Sequence, residues 1–381
     1  MNKIKNLFLC GLLCLGLTNV YAQHKSFKPS QIWEDNNGVH INAHGGGIIE
    51  AEGKYYWFGE HKADTTSSAY VGVTCYSSKD LYNWKNEGVA LSVIDRDPTH
   101  DITKGSIIER PKVIYNKRTK KYVMWFHLEL RGKKYDAARY GVAISDEITG
   151  PYKFLYSKRS NAQTLSLNTT KEEFELMKEA YENDNPKKKG AALAQSRAEN
   201  GVYFYKDFEG GQMSRDMTLF VDDNGKAYHI FSSENNQTLH IVELNKDFTG
   251  HSDRFTRVLV GKSNEAPAIF KKKGKYWMIA SGCTGWAPNS ARLAVADDIL
   301  GEWKYVKNPC VGENANITFG GQSTYILPLK GKKDAYIFMA DIWRPKHPSD
   351  ARYMWLPIQF DSDGVPFLEW MDEWNLSFFE K

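Results

Sequence analysis

Five short polar segments, each placed just ahead of an apolar run, carry the side chains in this sequence that could do chemistry: Asn42-Ala43-His44, Glu109-Arg110-Pro111, Asp216, Glu265-Ala266-Pro267 and Gln322-Ser323-Thr324. Three offer carboxyl groups, one an imidazole and one an amide. Carboxyl groups sharing a hollow can push each other's titrations apart, so that one keeps a proton to donate while another stays charged. Acid–base hydrolysis needs that arrangement together with an acceptor for the proton of water. The five segments are far apart in sequence, so a fold must bring them to one place.

The repeat around them predicts such a fold. In Ser214 to Phe231 a polar start with Asp216 leads into an apolar strand, the turn Asp222-Asp223-Asn224-Gly225 and a second aromatic strand. The Asn-Gly pair supplies the positive backbone angles of a hairpin turn. Turn-like lysine followed by aromatics recurs at Gly53-Lys54-Tyr55-Tyr56-Trp57, Lys120-Lys121-Tyr122-Val123-Met124-Trp125, Gly274-Lys275-Tyr276-Trp277 and Gly331-Lys332-Lys333-Asp334-Ala335-Tyr336. Recurrence at roughly fifty to seventy residues predicts an all-β chain built as a five-bladed β-propeller, whose innermost strands begin around one axis. The blades run from about 45 to 90, 107 to 155, 214 to 258, 265 to 306 and 320 to 360. The tail 366–379 is read as further strand that packs on the first blade or lengthens the fifth. A break in composition at 157–211 reads as a short helical insertion lying over one face. There Phe174, Met177 and Tyr181 have helical spacing behind the cap Asn168-Thr169-Thr170.

Composition narrows the partners. Lys and Arg number 50 against 46 Asp and Glu, a formal net charge of +4 that argues against a nucleic-acid partner. Aromatics make up 13% of the 381 residues, with 11 Trp and 21 Tyr; most are expected to fill the seams between blades, the remainder being suited to stacking on sugar faces. Basic Met1 to Lys5, apolar Leu7 to Leu17 and Val20-Tyr21-Ala22 read as a secretory signal over residues 1–22, ahead of one domain at 23–381. That reading implies a periplasmic or extracellular protein without a membrane span. Cys75, Cys283 and Cys310 then remain. A Cys283–Cys310 disulfide and separate buried thiols are both open, the latter preferred.

The segments Glu109 to Asn116, Ser214-Arg215-Asp216-Met217, Glu265 to Lys271, Gly282 to Asn289 and Gln322-Ser323-Thr324-Tyr325 together resemble glycoside hydrolase family 43, and within it the exo-β-1,3-galactanase (galactan 1,3-β-galactosidase) branch. The resemblance spans the chain apart from the signal and the insertion. It implies an inverting, exo-acting hydrolase that releases terminal galactose from β-1,3-galactan, with an oligo- or polysaccharide as partner. Two alternatives stand beside it: an α-L-arabinofuranosidase or β-D-galactofuranosidase on the same fold, and a non-catalytic carbohydrate-binding propeller. By the resemblance Glu265 is the general acid and Asp216 the carboxylate that modulates it. Inversion puts the acid and the water-activating group on opposite faces of the sugar. Most family members have an aspartate where this chain has Asn42-Ala43-His44, and the galactanase branch assigns the base to a glutamine matched by Gln322. His44, which titrates near neutrality, is the alternative base. Glu60 and Glu109 are acidic and axial, suited to accepting from sugar hydroxyls. Tyr135, Asn236, Thr284 and Trp286 join them by match to the branch, Trp286 as stacking platform. Glu234 is placed on the hairpin surface. Many relatives carry an axial calcium beside a histidine; Gln322 takes that place here, so no metal or other cofactor is expected.

Overall fold

The computed structural model of the protein describes residues 23–380, and the expected signal segment 1–22 lies outside them. Antiparallel meanders form four four-stranded sheets. The first holds His44–Ala51, Lys54–Glu60, Gly72–Ser78 and Lys85–Ser92; the second Ile107–Asn116, Lys121–Glu129, Arg139–Ser145 and Lys153–Lys158. The third holds Met217–Val221, Ala227–Ser233, Thr238–Leu244 and His251–Val258; the fourth Asn264–Lys272, Lys275–Gly282, Arg292–Ala296 and Lys304–Tyr305. A fifth, of three strands, holds Gln322–Pro328, Tyr336–Ile342 and Arg352–Pro357.

The tail corrects the expected blade count. Pro366–Glu369 neither lengthens the fifth sheet nor joins the first; it pairs in parallel with Cys310–Val311 and antiparallel with Gln359–Phe360. The result is a six-bladed arrangement rather than five blades, the sixth being this small three-stranded sheet. The first strands of the other five sheets pack side by side in a closed ring, to which the sixth sheet contributes no strand. Closure is reinforced where Phe27 and Trp374 exchange two backbone hydrogen bonds, at 2.7 and 3.1 Å.

Apolar clusters fill the seams, as the aromatic content predicts. Trp57, Trp84 and Trp355 lie between the first and fifth sheets, with Trp57 centroids 5.3 Å from Trp84 and 4.9 Å from Trp355. Offset and edge-on contacts of this kind add to the area that the rings bury. In the 222–226 turn only Gly225 takes a positive φ, of 81°, so the Asn-Gly expectation holds at its second residue alone.

The insertion carries three helices: α1 (Lys171–Glu182), α2 (Ala191–Glu199) and α3 (Val202–Lys206). Thr170 caps α1 in a reciprocal capping box with Glu173. No residue of α1 is fully buried; it is α3 that seats Phe204 against Met217, Phe231 and Phe255 of the third sheet. Among the described residues no helix is long and apolar enough to cross a membrane.

Candidate active site

One backbone device recurs where the first strands begin. Pairing with the second strand slips between His44 and Gly47, between Glu109 and Lys112 and between Glu265 and Ala268. In each slip the residue after the polar one is left-handed: Gly45 at φ 60°, Arg110 at 56° and Ala266 at 53°. Such bulges turn a side chain out of the alternating pattern of the strand. Here they aim Glu109 and Glu265 at the axis, where they meet Asp216 and Gln322. Gly45 is required by space as well, since a Cβ there would stand 2.2 Å from Oε1 of Glu60.

The hollow so formed has a volume of about 270 Å³. Of the residues singled out in the sequence, Glu60, Glu109, Tyr135, Asp216, Asn236, Glu265, Trp286 and Gln322 all line it. Thr284 does not: its hydroxyl donates to the Ala287 carbonyl at 2.6 Å and accepts from Asn289, holding its own loop. His44 is fully buried, its ring stacked on Tyr353 at 5.4 Å, and it stands outside the lining. Burial and the charge of Lys62 hold His44 well below the ordinary histidine range.

Glu265 accepts from Asn236 Nδ2 at 2.7 Å. Burial and the negative charge of Asp216 push its carboxyl up to about 7, against the opposing pull of Arg110 and Asn236. Asp216 is ion-paired to Arg110 Nη2 at 2.9 Å. The same guanidinium donates to Oε1 of Gln322 at 2.7 Å and to the Ser323 carbonyl at 2.7 Å. Trp343 Nε1 is a second donor to that amide oxygen at 2.9 Å, while Nε2 of Gln322 donates to the Ser281 hydroxyl at 2.9 Å. Two donors on one atom fix which end of the amide is oxygen, and they occupy both of its lone pairs.

On the other side of the hollow Glu60 pairs with Lys62 at 2.5 Å and accepts the Arg110 backbone N–H at 2.9 Å. Glu109 receives the Tyr135 hydroxyl at 2.9 Å and His127 Nδ1 at 3.1 Å; the other ring nitrogen of His127 meets Glu129 at 2.9 Å. Burial works against both charges, yet the paired contacts pull Glu109 down to about 2 and lift His127 to about 9. Imidazolium held between two carboxylates is the result.

Glu109, His127 and Asp216 offer three donor atoms within 4.8 Å of one another, the spacing a metal ion would need. The donors do not fit one: a cation would have to strip His127 of the proton that both glutamates stabilise and take Asp216 from Arg110. Sequence reasoning passed over Lys62, His127, Arg215 and Trp343, all of which line the hollow. His127 and Glu129 had a signal, being polar residues on one face of the otherwise apolar strand Lys121–Glu129. All three described cysteines are free thiols, and Cys283 is exposed rather than buried.

The profile of glycosyl hydrolases family 43 matches residues 177–366. A family 43 β-1,3-galactosidase solved with galactodeoxynojirimycin is 55% identical, superposes with a TM-score of 0.87, and is covered over 100% of its length by 92% of this chain. The exo-β-1,3-galactanase of Phanerochaete chrysosporium, solved with galactose, is 30% identical with a TM-score of 0.72; the match covers 92% of this chain and 68% of that one. The exo-β-1,3-galactanase of Clostridium thermocellum is 32% identical with a TM-score of 0.73, over 91% and 66%. No curated protein sequence matches the chain.

Proposed function

Because the chain belongs to glycosyl hydrolases family 43, we propose that it is an inverting, exo-acting hydrolase that releases terminal galactose from β-1,3-galactan. The observation that carries this reading is Glu265: a buried carboxyl pushed up to about 7 beside Asp216, in the small hollow that also holds Gln322. A group titrating there keeps its proton at neutral pH and can pass it to the departing glycosidic oxygen. Asp216 supplies the charge that keeps the proton in place, and Arg110 fixes both Asp216 and Gln322. With its amide oxygen already accepting from Arg110 and Trp343 and one N–H given to Ser281, Gln322 can orient the attacking water only through its remaining amide N–H, and it does not take the proton. The proton of water passes to bulk solvent as the water attacks, and solvent returns to Glu265 the proton it gives to the leaving oxygen. Glu60, Glu109 and Tyr135 accept from or donate to sugar hydroxyls, and Trp286, exposed at 48% and T-shaped to Trp343 at 5.9 Å, offers a stacking surface at the mouth.

The test is galactose release from β-1,3-galactobiose, followed with its Glu265→Gln variant and with aryl furanosides as competitors. Galactose release lost in the variant supports the reading. Release from furanosides alone, or binding without turnover, overturns it. Gln322→Ala and His44→Ala separate the water-handling groups: the glutamine variant is expected to lose about 100-fold or more in kcat, and the histidine variant little by comparison. We also propose that the protein acts outside the cytoplasm. The basic start, apolar run and Val20-Tyr21-Ala22 support this, and N-terminal sequencing of protein from the cell envelope or medium should begin at Gln23.

A further inference from the structure

Glu234, placed on a hairpin surface by the sequence, is fully buried, and it sits at the start of an unusual turn. Glu234, Asn235 and Asn236 are three successive non-glycine residues at positive φ: 49°, 58° and 60°. Left-handed backbone is strained for a residue with a side chain, less so for asparagine, and persists only where surrounding contacts over-determine it. The contacts here are specific. The Glu234 carboxylate accepts from Arg257 Nε at 2.6 Å and Nη2 at 2.8 Å, from His240 at 2.9 Å and from Thr238 at 3.1 Å.

Arg257 in turn is held by the helical insertion. Asn168 brackets its backbone with hydrogen bonds of 3.1 and 2.7 Å, the Ala198 carbonyl of α2 accepts from Nη2 at 3.3 Å, and the guanidinium lies over the Phe204 ring of α3 at 4.7 Å. At the far end of the turn Asn236 donates to Glu265, while Arg215 donates to its Oδ1 at 3.3 Å and so fixes the amide with its N–H toward the acid. We infer that the insertion, through the Arg257–Glu234 pair, is a positioning device for the general acid. It keeps a strained turn closed so that Asn236 occupies one carboxyl oxygen of Glu265 and leaves the proton on the other, facing substrate.

This inference rests on the hydrolase reading above. Glu265 also faces Asp216, Arg110 and Cys283, none of which the test alters. The variant is Glu234→Gln with Arg257→Leu, which removes both charges together and avoids a lone buried one. On β-1,3-galactobiose it is expected to lose about 10- to 100-fold in kcat with KM changed less than about threefold. The high-pH limb of its profile moves up by about one unit, because the acid loses a donor that favours its charged form. Adding Asn235→Gly, which makes left-handed backbone free, restores part of the kcat. If the pair variant does not fold, Asn168→Ala, which frees Arg257 from the insertion but keeps the ion pair, should show the same limb shift at smaller size. A folded variant with unchanged kcat and limb overturns the inference while the hydrolase reading stands; an unmodified protein that releases no galactose overturns both.

Discussion

Glu109 and Glu265 occupy the same place in two different sheets. Each starts a first strand, each precedes a left-handed residue, and each turns into the same hollow. Their titrations nonetheless part by several units, one pulled down to about 2 and the other pushed up to about 7. Burial raises both, so the difference lies in the charges that stand beside each carboxyl. Opposite Glu109 is His127, with Lys62 3.7 Å away; opposite Glu265 is Ser281, with the negative charge of Asp216 nearby. One repeated backbone position thus yields a fixed anion and a carboxyl that holds its proton into the neutral range; in the function proposed above the first holds substrate and the second breaks the bond. The charge beside each carboxyl decides which: the cations of His127 and Lys62 at Glu109, the anion of Asp216 at Glu265.

The sharpest way to break this contrast is Glu265→Gln, which removes the carboxyl proton that the acid side holds in reserve. Loss of about 10²–10⁴-fold in kcat on β-1,3-galactobiose is expected. The same variant should gain stability at alkaline pH. A carboxyl with a raised pKa contributes stability below its unfolded value near 4.5 and loses it as pH rises through about 7, and glutamine has no such loss. Melting temperatures of the two proteins at pH 8 check this.

On the holding side, His127→Gln leaves Glu109 and Glu129 without their shared cation. A cost of about 3–5 kcal/mol in unfolding free energy is expected, as for other broken buried pairs, measured by denaturant titration. Its pH dependence carries a sign. Stability from His127 is complete below its unfolded value near 6.5 and is lost as pH rises through about 9. That from Glu109 is complete above 4.5 and is lost as pH falls toward about 2. The unmodified protein should therefore show this part of its stability at its fullest between those two unfolded values.

Asp216→Asn would make the acid side resemble the holding side, since Glu265 then faces Arg110 with no opposing anion. The high-pH limb of the rate profile should move to lower pH by about one to two units, with a loss of about 10- to 100-fold at pH 7. Trp286→Ala, which touches neither titration, should raise KM by several-fold through loss of about 1 kcal/mol of stacking and leave the limb in place.

The site was more legible in the sequence than the fold that builds it. Polar starts ahead of apolar strands, repeated along the chain, led to Asp216, Glu265 and Gln322 because a strand start is a long-range marker of the axis. The groups that set their titrations were harder to see. Lys62 and His127 come from the second strand or just beyond it, and only the register of pairing puts them in the hollow. Glu234 was misplaced because a Glu-Asn-Asn turn reads as solvent-facing. Its burial depends on Arg257, more than twenty residues further on, and on helices in the insertion. The sixth sheet left no periodic signal: Cys310–Val311 and Gln359–Phe360 are two residues each, and the parallel pairing joins distant parts of the chain.

The backbone exchange between Phe27 and Trp374 means that the two ends of the described chain emerge side by side. A short linker could join them, and the ring could then be cut open instead at the tip of a hairpin such as Gly274, where an added side chain would meet nothing. A permuted chain of that kind would keep every seam between sheets while moving the point where synthesis starts and stops to the fourth sheet.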